Sequence, residues 1–419
     1  MEKYRELRKK HPKFTYCGYE YKIFQKNLKI FFDFKLEPDI SFRPELTIKN
    51  VSSSQLERFD KEVLENFIFS IGMAEIPSYW KAACSPEISV EAGSLDEDQI
   101  LWWKKLFLRG MGQYFYENGI DWRKPDFLNI CAENESSFKA KALGLDKKKY
   151  LVPMGGGKDS IVTLEKLKEE KKEIGCFVLN PLGSTMEVLK ASGVREAVEV
   201  ERKIDPYLLK LNEKGYLNGH IPFTALLMFV SSLCAAIFDY GKVAFSNEKS
   251  AKEGNLRYLG EEINHQYSKT EEFENDFRKY CRKHLLKDLD CFSFLRQYSE
   301  LEIAEMFSRY PKYFKLFSSC NTVRKINRKG SGKWCCKCPK CLSTYLSLYP
   351  FLEKKQMNDI FGLDLFEKKE LLGILRELLG KGAKKPFECV GTFKEAKTAL
   401  KLSRRKAGKD LPYLLKKAE

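Results

Sequence analysis

The amino-acid sequence predicts an α/β fold centred on a parallel sheet, preceded by a mixed α/β region and followed by a helical extension. Three observations predict it. Apolar runs of strand length alternate with helix-period segments between residues 149 and 246, the pattern of parallel strands joined by right-handed crossovers. Gly155, Gly156 and Gly157 stand together between the first of these strands and the helix after it. From residue 353 onward the chain reads as Lys-rich helices without strand pattern. Length agrees, because 419 residues, 43% of them hydrophobic and 13% aromatic, suffice for two or three domains around a sizeable core.

Residues 1–145 are expected to form an N-terminal substrate-recognition domain. The opening MEKYRELRKK is charged and lacks the apolar stretch of a secretory signal. A cytoplasmic location is therefore expected, with the 13 cysteines as reduced thiols or metal ligands and not as a disulfide framework. Residues 30–36 have strand character. Residues 56–71 read as a helix with Leu56, Phe59, Val63, Leu64, Phe67 and Ile71 on one face. The aromatic-rich 69–88, FSIGMAEIPSYWKAACSPEI, reads as a helix docked on the core, 87–99 as a loop, and 98–118 as one amphipathic helix.

Residues 146–350 are expected to hold the parallel sheet, with strands at 149–153, 174–179, 196–200 and 242–246 and helices at 160–171, 184–191 and 222–239. Residues 221–238 are uncharged, but they are short for a bilayer span, contain Pro222, Ser231 and Ser232, and have no partner span. They read as a buried helix, and no membrane partner is expected. Ligands of parallel sheets sit beyond the carboxyl ends of the strands. There the glycine loop would meet Asn180, the Asn218-Gly219-His220 turn, and Asn247 with Glu248. Residues 264–284 read as a helix behind a Ser268–Glu271 capping box. Residues 351–419 read as a peripheral basic extension broken at Gly380-Lys381-Gly382. Within it 381–419 carry 12 Lys/Arg against 4 Asp/Glu, half of the net charge of +16. In helices of this kind such an excess is a solvated face before it is a nucleic-acid site.

Two groups of residues point to chemistry. A strand, a glycine loop and a helix start together bind anions, since backbone N–H groups and the helix dipole converge there. Asp159 separates Lys158 from Ser160, so this is not the Gly-Lys-Ser/Thr loop of γ-phosphate transfer. It resembles the pyrophosphate loop of the N-type ATP pyrophosphatases, Ser-Gly-Gly-x-Asp-Ser, with Gly155 where the first Ser is expected. The resemblance implies a HUP-like PP-loop domain using ATP and Mg²⁺. The loop glycines, Lys158 and Ser160 would hold phosphates, Asp159 would lie near Mg²⁺, and attack would fall on the α-phosphorus. Secondly, Cys320, Cys335, Cys338 and Cys341 have the spacing Cys-x14-Cys-x2-Cys-x2-Cys. Four thiolates suit tetrahedral Zn²⁺ or an Fe–S cluster, with Cys336 to spare.

The ordered set FSIGMAEIPSYWKAACSPEI, LVPMGGGKDS, LNGHIPF, SNEKSA, INHQYSKTEEFENDFRKY and WCCKCPKC is similar to the UDP-N-acetylmuramoyl-L-alanyl-L-glutamate epimerases. The motifs span residues 67–350. The resemblance implies an ATP-dependent epimerase of peptidoglycan precursor synthesis, adenylating the terminal L-Glu of UDP-MurNAc-L-Ala-L-Glu and inverting it to D-Glu. Adenylation removes the carboxylate charge that makes a Cα proton hard to take, and inversion needs an acid and a base on opposite faces. His220, His265, Glu248 and Cys84 are the candidates. Two other readings remain at this point: a pyrophosphatase modifying tRNA or a nucleobase, and a non-catalytic nucleotide-binding regulator. No RNA-binding module or interleaved aromatic–basic pattern favours the former.

Overall fold

The computed structural model describes residues 2–132, 138–324 and 333–418. In chain order its strands are β1 (Lys13–Phe24), β2 (Asn27–Leu36), β3 (Ile40–Phe42), β4 (Glu45–Ile48), β5 (Glu87–Val90), β6 (Asn129–Ala132), β7 (Lys149–Pro153), β8 (Glu173–Leu179), β9 (Ala197–Lys203), β10 (Lys242–Phe245), β11 (Leu256–Tyr258), β12 (Glu261–Ile263) and β13 (Asp290–Ser293). β11 and β12 form a hairpin, and the other strands form one sheet in the order β13-β10-β7-β8-β9-β4-β2-β1-β5-β6, with β3 against β2.

The stretch β13-β10-β7-β8-β9 is parallel throughout, as the alternation of strand and helix predicts. Its chain order reverses between β7 and β10, and the carboxyl ends at that reversal are where such sheets take ligands. Side chains alternate across it. Leu151, Phe177 and Val243 join a core shared with the helices Lys61–Trp80, Phe223–Ile237 and Glu271–His284. Val152, Cys176, Val178 and Ala244 join a core shared with the helices Lys158–Glu169, Glu300–Phe307 and Pro339–Leu348. The sheet is thus covered on both faces, which explains why its strands read as continuous apolar runs.

The N-terminal region does not stand apart from this sheet. β4 pairs antiparallel with β9, from Glu45 against Lys203 to Ile48 against Val200. Along β2 alternate residues Leu28, Ile30, Phe32, Phe34 and Leu36 point inward, the period-2 signature of a sheet with one face in the core.

Several local expectations are corrected. The helix expected at 56–71 runs Lys61–Trp80, beginning behind Asp60, whose side chain accepts the Glu62 N–H, and continuing through Pro77. It is buried on every side from Phe67 to Trp80, so the amphipathic period that located its start fades along it. The segment 87–99 is not a loop throughout, because Glu87–Val90 pairs with β1 and β6. A strand of four residues leaves little pattern to read. The helix expected at 98–118 is two, Glu97–Gly110 and Gly112–Glu117. Thr270, not Ser268, caps the helix Glu271–His284, accepting the Phe273 N–H; Ser268 belongs to a short 3₁₀ turn, Tyr267–Lys269. The extension after residue 350 is helical as expected, but it is not peripheral. Its Leu365, Phe366, Leu371, Leu375 and Leu414 are buried in the core that holds β7 and the Cys-bearing helix. The uncharged 221–238 is a buried helix, and among the described residues no helix is long and apolar enough to cross a membrane.

Candidate active site

A cavity of about 590 Å³ opens at the carboxyl ends of β7, β8 and β10. The glycine loop forms its floor. Gly156 has φ +72°, and a Cβ there would lie 2.9 Å from Thr185 Oγ1 and 3.2 Å from Thr185 Cα. Only glycine fits that backbone without strain. Gly157 is the N-cap of the helix Lys158–Glu169 and supplies no side-chain cap. The first turn therefore presents N–H groups and the positive dipole end toward the cavity. Ser160 Oγ donates to the Gly157 carbonyl at 3.0 Å, and the Ser318 N–H donates to the Gly156 carbonyl at 3.0 Å, pinning the loop from outside.

Of the residues singled out in the sequence, Gly155, Gly157, Asp159, Ser160, His220, Asn247 and His265 line this cavity. The others lie elsewhere. Lys158 is wholly buried and turns beneath the loop, where Nζ meets Asp159 Oδ1 and Glu300 Oε2, the latter at 3.0 Å. Asn180 staples the ends of two strands, accepting the Arg202 N–H at 2.7 Å and donating to the Arg202 carbonyl at 3.1 Å. Glu248 is buried behind the wall, within electrostatic reach of Lys269. Cys84 is fully buried against Arg8 and Tyr114, and burial pushes its thiol up to about 12.

Spacing alone did not single out several residues that complete the walls. Lys340 and Lys269 bring cations, Cys389 a thiol, and Phe387 an aromatic face. Lys340 Nζ donates to the Cys389 carbonyl, and Lys269 Nζ donates to Cys389 Sγ at 3.0 Å. Lys340 was legible in principle, lying between two of the spaced cysteines; Cys389 carried no such signal.

The charges are organised around Asp159. Burial alone would raise its carboxyl, but Lys158, Lys340 and Lys269 outweigh that and hold it below the usual carboxylate range. Glu300 behaves oppositely. Its burial, reinforced by Asp159 and Glu248 and opposed by Lys158 and Lys340, raises it to about 7. The two histidines are kept neutral. Burial lowers His220 to about 4, helped by Lys269 and Lys81 against a hydrogen bond with the His265 backbone. Burial lowers His265 to about 2, helped by His220 and Lys269. Their rings meet edge to face with centroids 5.8 Å apart.

The N-terminal motif supports this wall from behind. Glu75 and Ser78 accept hydrogen bonds from the Arg202 guanidinium, 2.9 Å from Nε to Glu75 Oε2 and 3.0 Å to Ser78 Oγ, tying the helix Lys61–Trp80 to β9. Lys81 Nζ donates to the Gly219 carbonyl at 3.2 Å, bracing the turn that carries His220. Burial lowers Lys81 to about 8, with Arg202 adding to the effect.

The four predicted cysteines converge beside the cavity. Cys320, Cys335, Cys338 and Cys341 place their sulfurs within 4.8 Å of one another. Individual separations are 3.9 Å for Cys320–Cys338, 3.7 Å for Cys335–Cys341 and 3.5 Å for Cys338–Cys341. Tetrahedral zinc with Zn–S bonds of about 2.3 Å requires S···S distances of about 3.8 Å, so the set fits a four-coordinate metal. Cys336 stands outside it, its Sγ 3.6 Å from the Phe361 carbonyl.

Comparison with known proteins agrees with this architecture. Residues 5–294 match the family profile described as the MurL N-terminal domain, and residues 316–418 that of the MurL C-terminal domain. The UDP-N-acetyl-alpha-D-muramoyl-L-alanyl-L-glutamate epimerase of Salinispora tropica is 37% identical over 340 residues, covering 80% of this chain and 73% of that protein. The enzyme of the same name from Xanthomonas oryzae pv. oryzae is 35% identical over 327 residues, covering 77% and 71%. Matches to both family profiles, with relatives 35–37% identical over about four fifths of the chain, place this chain in the UDP-N-acetyl-alpha-D-muramoyl-L-alanyl-L-glutamate epimerase family.

Proposed function

We infer that the chain is an ATP-dependent epimerase of cell-wall precursor synthesis, acting on UDP-MurNAc-L-Ala-L-Glu through a carboxyl adenylate. The relatives' names support the epimerase reaction and its substrate, and not the tRNA- or nucleobase-modifying alternative. The observation that supports the adenylate is the uncapped glycine loop facing a cavity that also holds neutral histidines. One end of this pocket suits an anion and the other suits proton transfer.

In this reading the loop N–H groups, Ser160 and Lys340 receive the phosphates, while Met154, Phe177, Leu179 and Leu227 offer an apolar bed for the base. Lys158 works from below, keeping Asp159 ionised. Asp159, with the phosphates, suits Mg²⁺, which takes one or two carboxylates plus phosphate oxygens and supplies charge neutralisation. Inversion at Cα requires activation of the adjacent α-carboxylate, since only that carboxylate's charge opposes loss of the Cα proton. Its attack on the α-phosphorus breaks the bond to diphosphate and leaves an acyl-adenylate, whose Cα–H is far more acidic than that of a free carboxylate. Proton removal, return of a proton to the opposite face, and hydrolysis give D-Glu and AMP. Cys320, Cys335, Cys338 and Cys341 would hold a structural Zn²⁺, four thiolates being a closed ligand set.

Incubation with ATP, Mg²⁺ and UDP-MurNAc-L-Ala-L-Glu in D₂O tests this. The expected result is AMP and diphosphate together with deuterium at the glutamate Cα of the D product. Inversion without AMP, or AMP without inversion, contradicts the reading.

A further inference from the structure

Asn255 fixes the hydrogen on His265. Its Nδ2 donates to the Pro386 carbonyl at 2.8 Å, and its Oδ1 accepts the His265 backbone N–H at 3.0 Å. That oxygen also lies 2.9 Å from His265 Nδ1. A carbonyl oxygen accepts and cannot donate, so Nδ1 carries the hydrogen and Nε2 keeps its lone pair. Nε2 is buried and has no hydrogen-bond partner among the described residues, although the ring, only 7% exposed, lines the cavity. On a residue of the cavity wall, this nitrogen is an acceptor site that no protein donor fills.

Cys389 lines the same cavity from a different segment of chain. Its sulfur accepts a hydrogen bond from Lys269 Nζ at 3.0 Å, so a thiolate formed there is stabilised by an adjacent ammonium. The Asn255–Pro386 hydrogen bond and the contact of Phe387 with the His265 ring, centroids 6.1 Å apart, hold the two segments in one framework. The other candidates are engaged or displaced. His220 bonds to the His265 backbone, while Glu248 and Cys84 are not part of the cavity lining.

We propose that His265 and Cys389 are the two proton-transfer residues of the inversion, His265 taking the Cα proton of the L-glutamyl adenylate and Cys389 delivering one to the opposite face. This rests on the functional reading above. In the first step the C–H bond breaks, its proton goes to Nε2, and its electron pair delocalises onto the acyl carbonyl. The Cys389 S–H bond then breaks, its proton bonds to Cα, and the electron pair stays on sulfur beside Lys269. Imidazolium and thiolate return to imidazole and thiol by proton exchange with water. Lys269 is a positioning residue in this scheme.

The test uses the full-length protein in D₂O, each diastereomer of the substrate, and the variants Cys389→Ala and His265→Asn. Diphosphate release is the internal measure of an intact fold. Cys389→Ala is expected to exchange the Cα proton of the L substrate for deuterium without inverting it, and to leave the D substrate unexchanged. His265→Asn is expected to show the mirror image. Both are expected to lose inversion at least 100-fold and to keep diphosphate release within about 10-fold of the parent. Cys389→Ser, a near-isosteric but weaker acid, is expected to invert at least 10-fold more slowly with diphosphate release retained. Inversion by Cys389→Ala above a tenth of the parent rate, the same exchange pattern in both variants, or loss of diphosphate release in Cys389→Ser overturns the proposal. Failure of the parent protein to invert the substrate defeats the functional reading and this proposal together, whereas any of the overturning results in the variants, with the parent active, defeats only the proposal.

Discussion

Asp159 sits among three ammonium groups while Glu300, one hydrogen bond away through Lys158, is driven toward neutrality. The two carboxyls therefore carry different expectations. Asp159→Asn removes the anionic group nearest the uncapped helix start, and diphosphate release is expected to fall at least 100-fold, with a lower melting temperature because the buried Lys158 ammonium loses one of its two carboxylate partners. Measuring both on the same preparation checks this. The histidines give a pH dependence. Both have folded pKa values below the ordinary 6.5, at about 4 for His220 and about 2 for His265. The unfolded chain thus binds these protons first. Their contribution to stability is complete above about pH 6.5 and is lost as pH falls toward 4 and below. A melting-temperature profile is expected to decline over that range, with a shallower decline in His265→Asn. At this scale the sequence offered types and not orientations. Glu248, Cys84 and His265 looked alike as candidates, and only the tertiary fold separates a buried thiol beside Arg8 from an imidazole edge on a cavity wall.

The helix Pro339–Leu348 shows how one element links two sites. Cys338 is its N-cap, Cys341 lies in its first turn, and Lys340 between them reaches the cavity. A metal held by the cysteines would therefore fix the position of a cation on the cavity wall. Cys338→Ser is expected to lower bound zinc below about half an equivalent, to depress the melting temperature, and to slow diphosphate release although none of the four cysteines lines the pocket. Metal analysis and calorimetry of the variant check the first two. Lys340→Met is expected to slow diphosphate release by about 10- to 100-fold while leaving zinc content at the parent level. Legibility at this scale followed pattern strength. The glycine loop, the four cysteines and the strands β7, β8, β9 and β10 were readable because each imposes a local rule on its residues. The strand Glu87–Val90 was not, since its pairing with β1 and β6 is set by residues distant in sequence. The break after Gly110 is likewise set at a distance: a Cβ there would lie 2.7 Å from Pro222, a crowding no local pattern records.

The whole molecule is organised by one sheet and two cores. The α/β class and the parallel order followed from alternation, but the reach of the sheet into the N-terminal region did not, because antiparallel pairing across 150 residues has no periodic trace. The extension after residue 350 was readable as helix and unreadable as wall. Its Phe387 and Cys389 meet His265 and Lys269 only through the fold. A chain ending at residue 350 is expected to lose activity entirely and to expose the apolar face that buries Leu365, Phe366 and Leu375, which light scattering and a dye for exposed apolar surface check. The β4–β9 pairing has a consequence for inheritance and design. A parallel-sheet unit bounded by an open edge can be exchanged between proteins as a cassette. Here the strand that closes β9 comes from residues 45–48, so excising the unit leaves an unpaired row of backbone donors and acceptors seeking another chain. A chimera that replaces one part of the sheet must therefore carry the matching strand along.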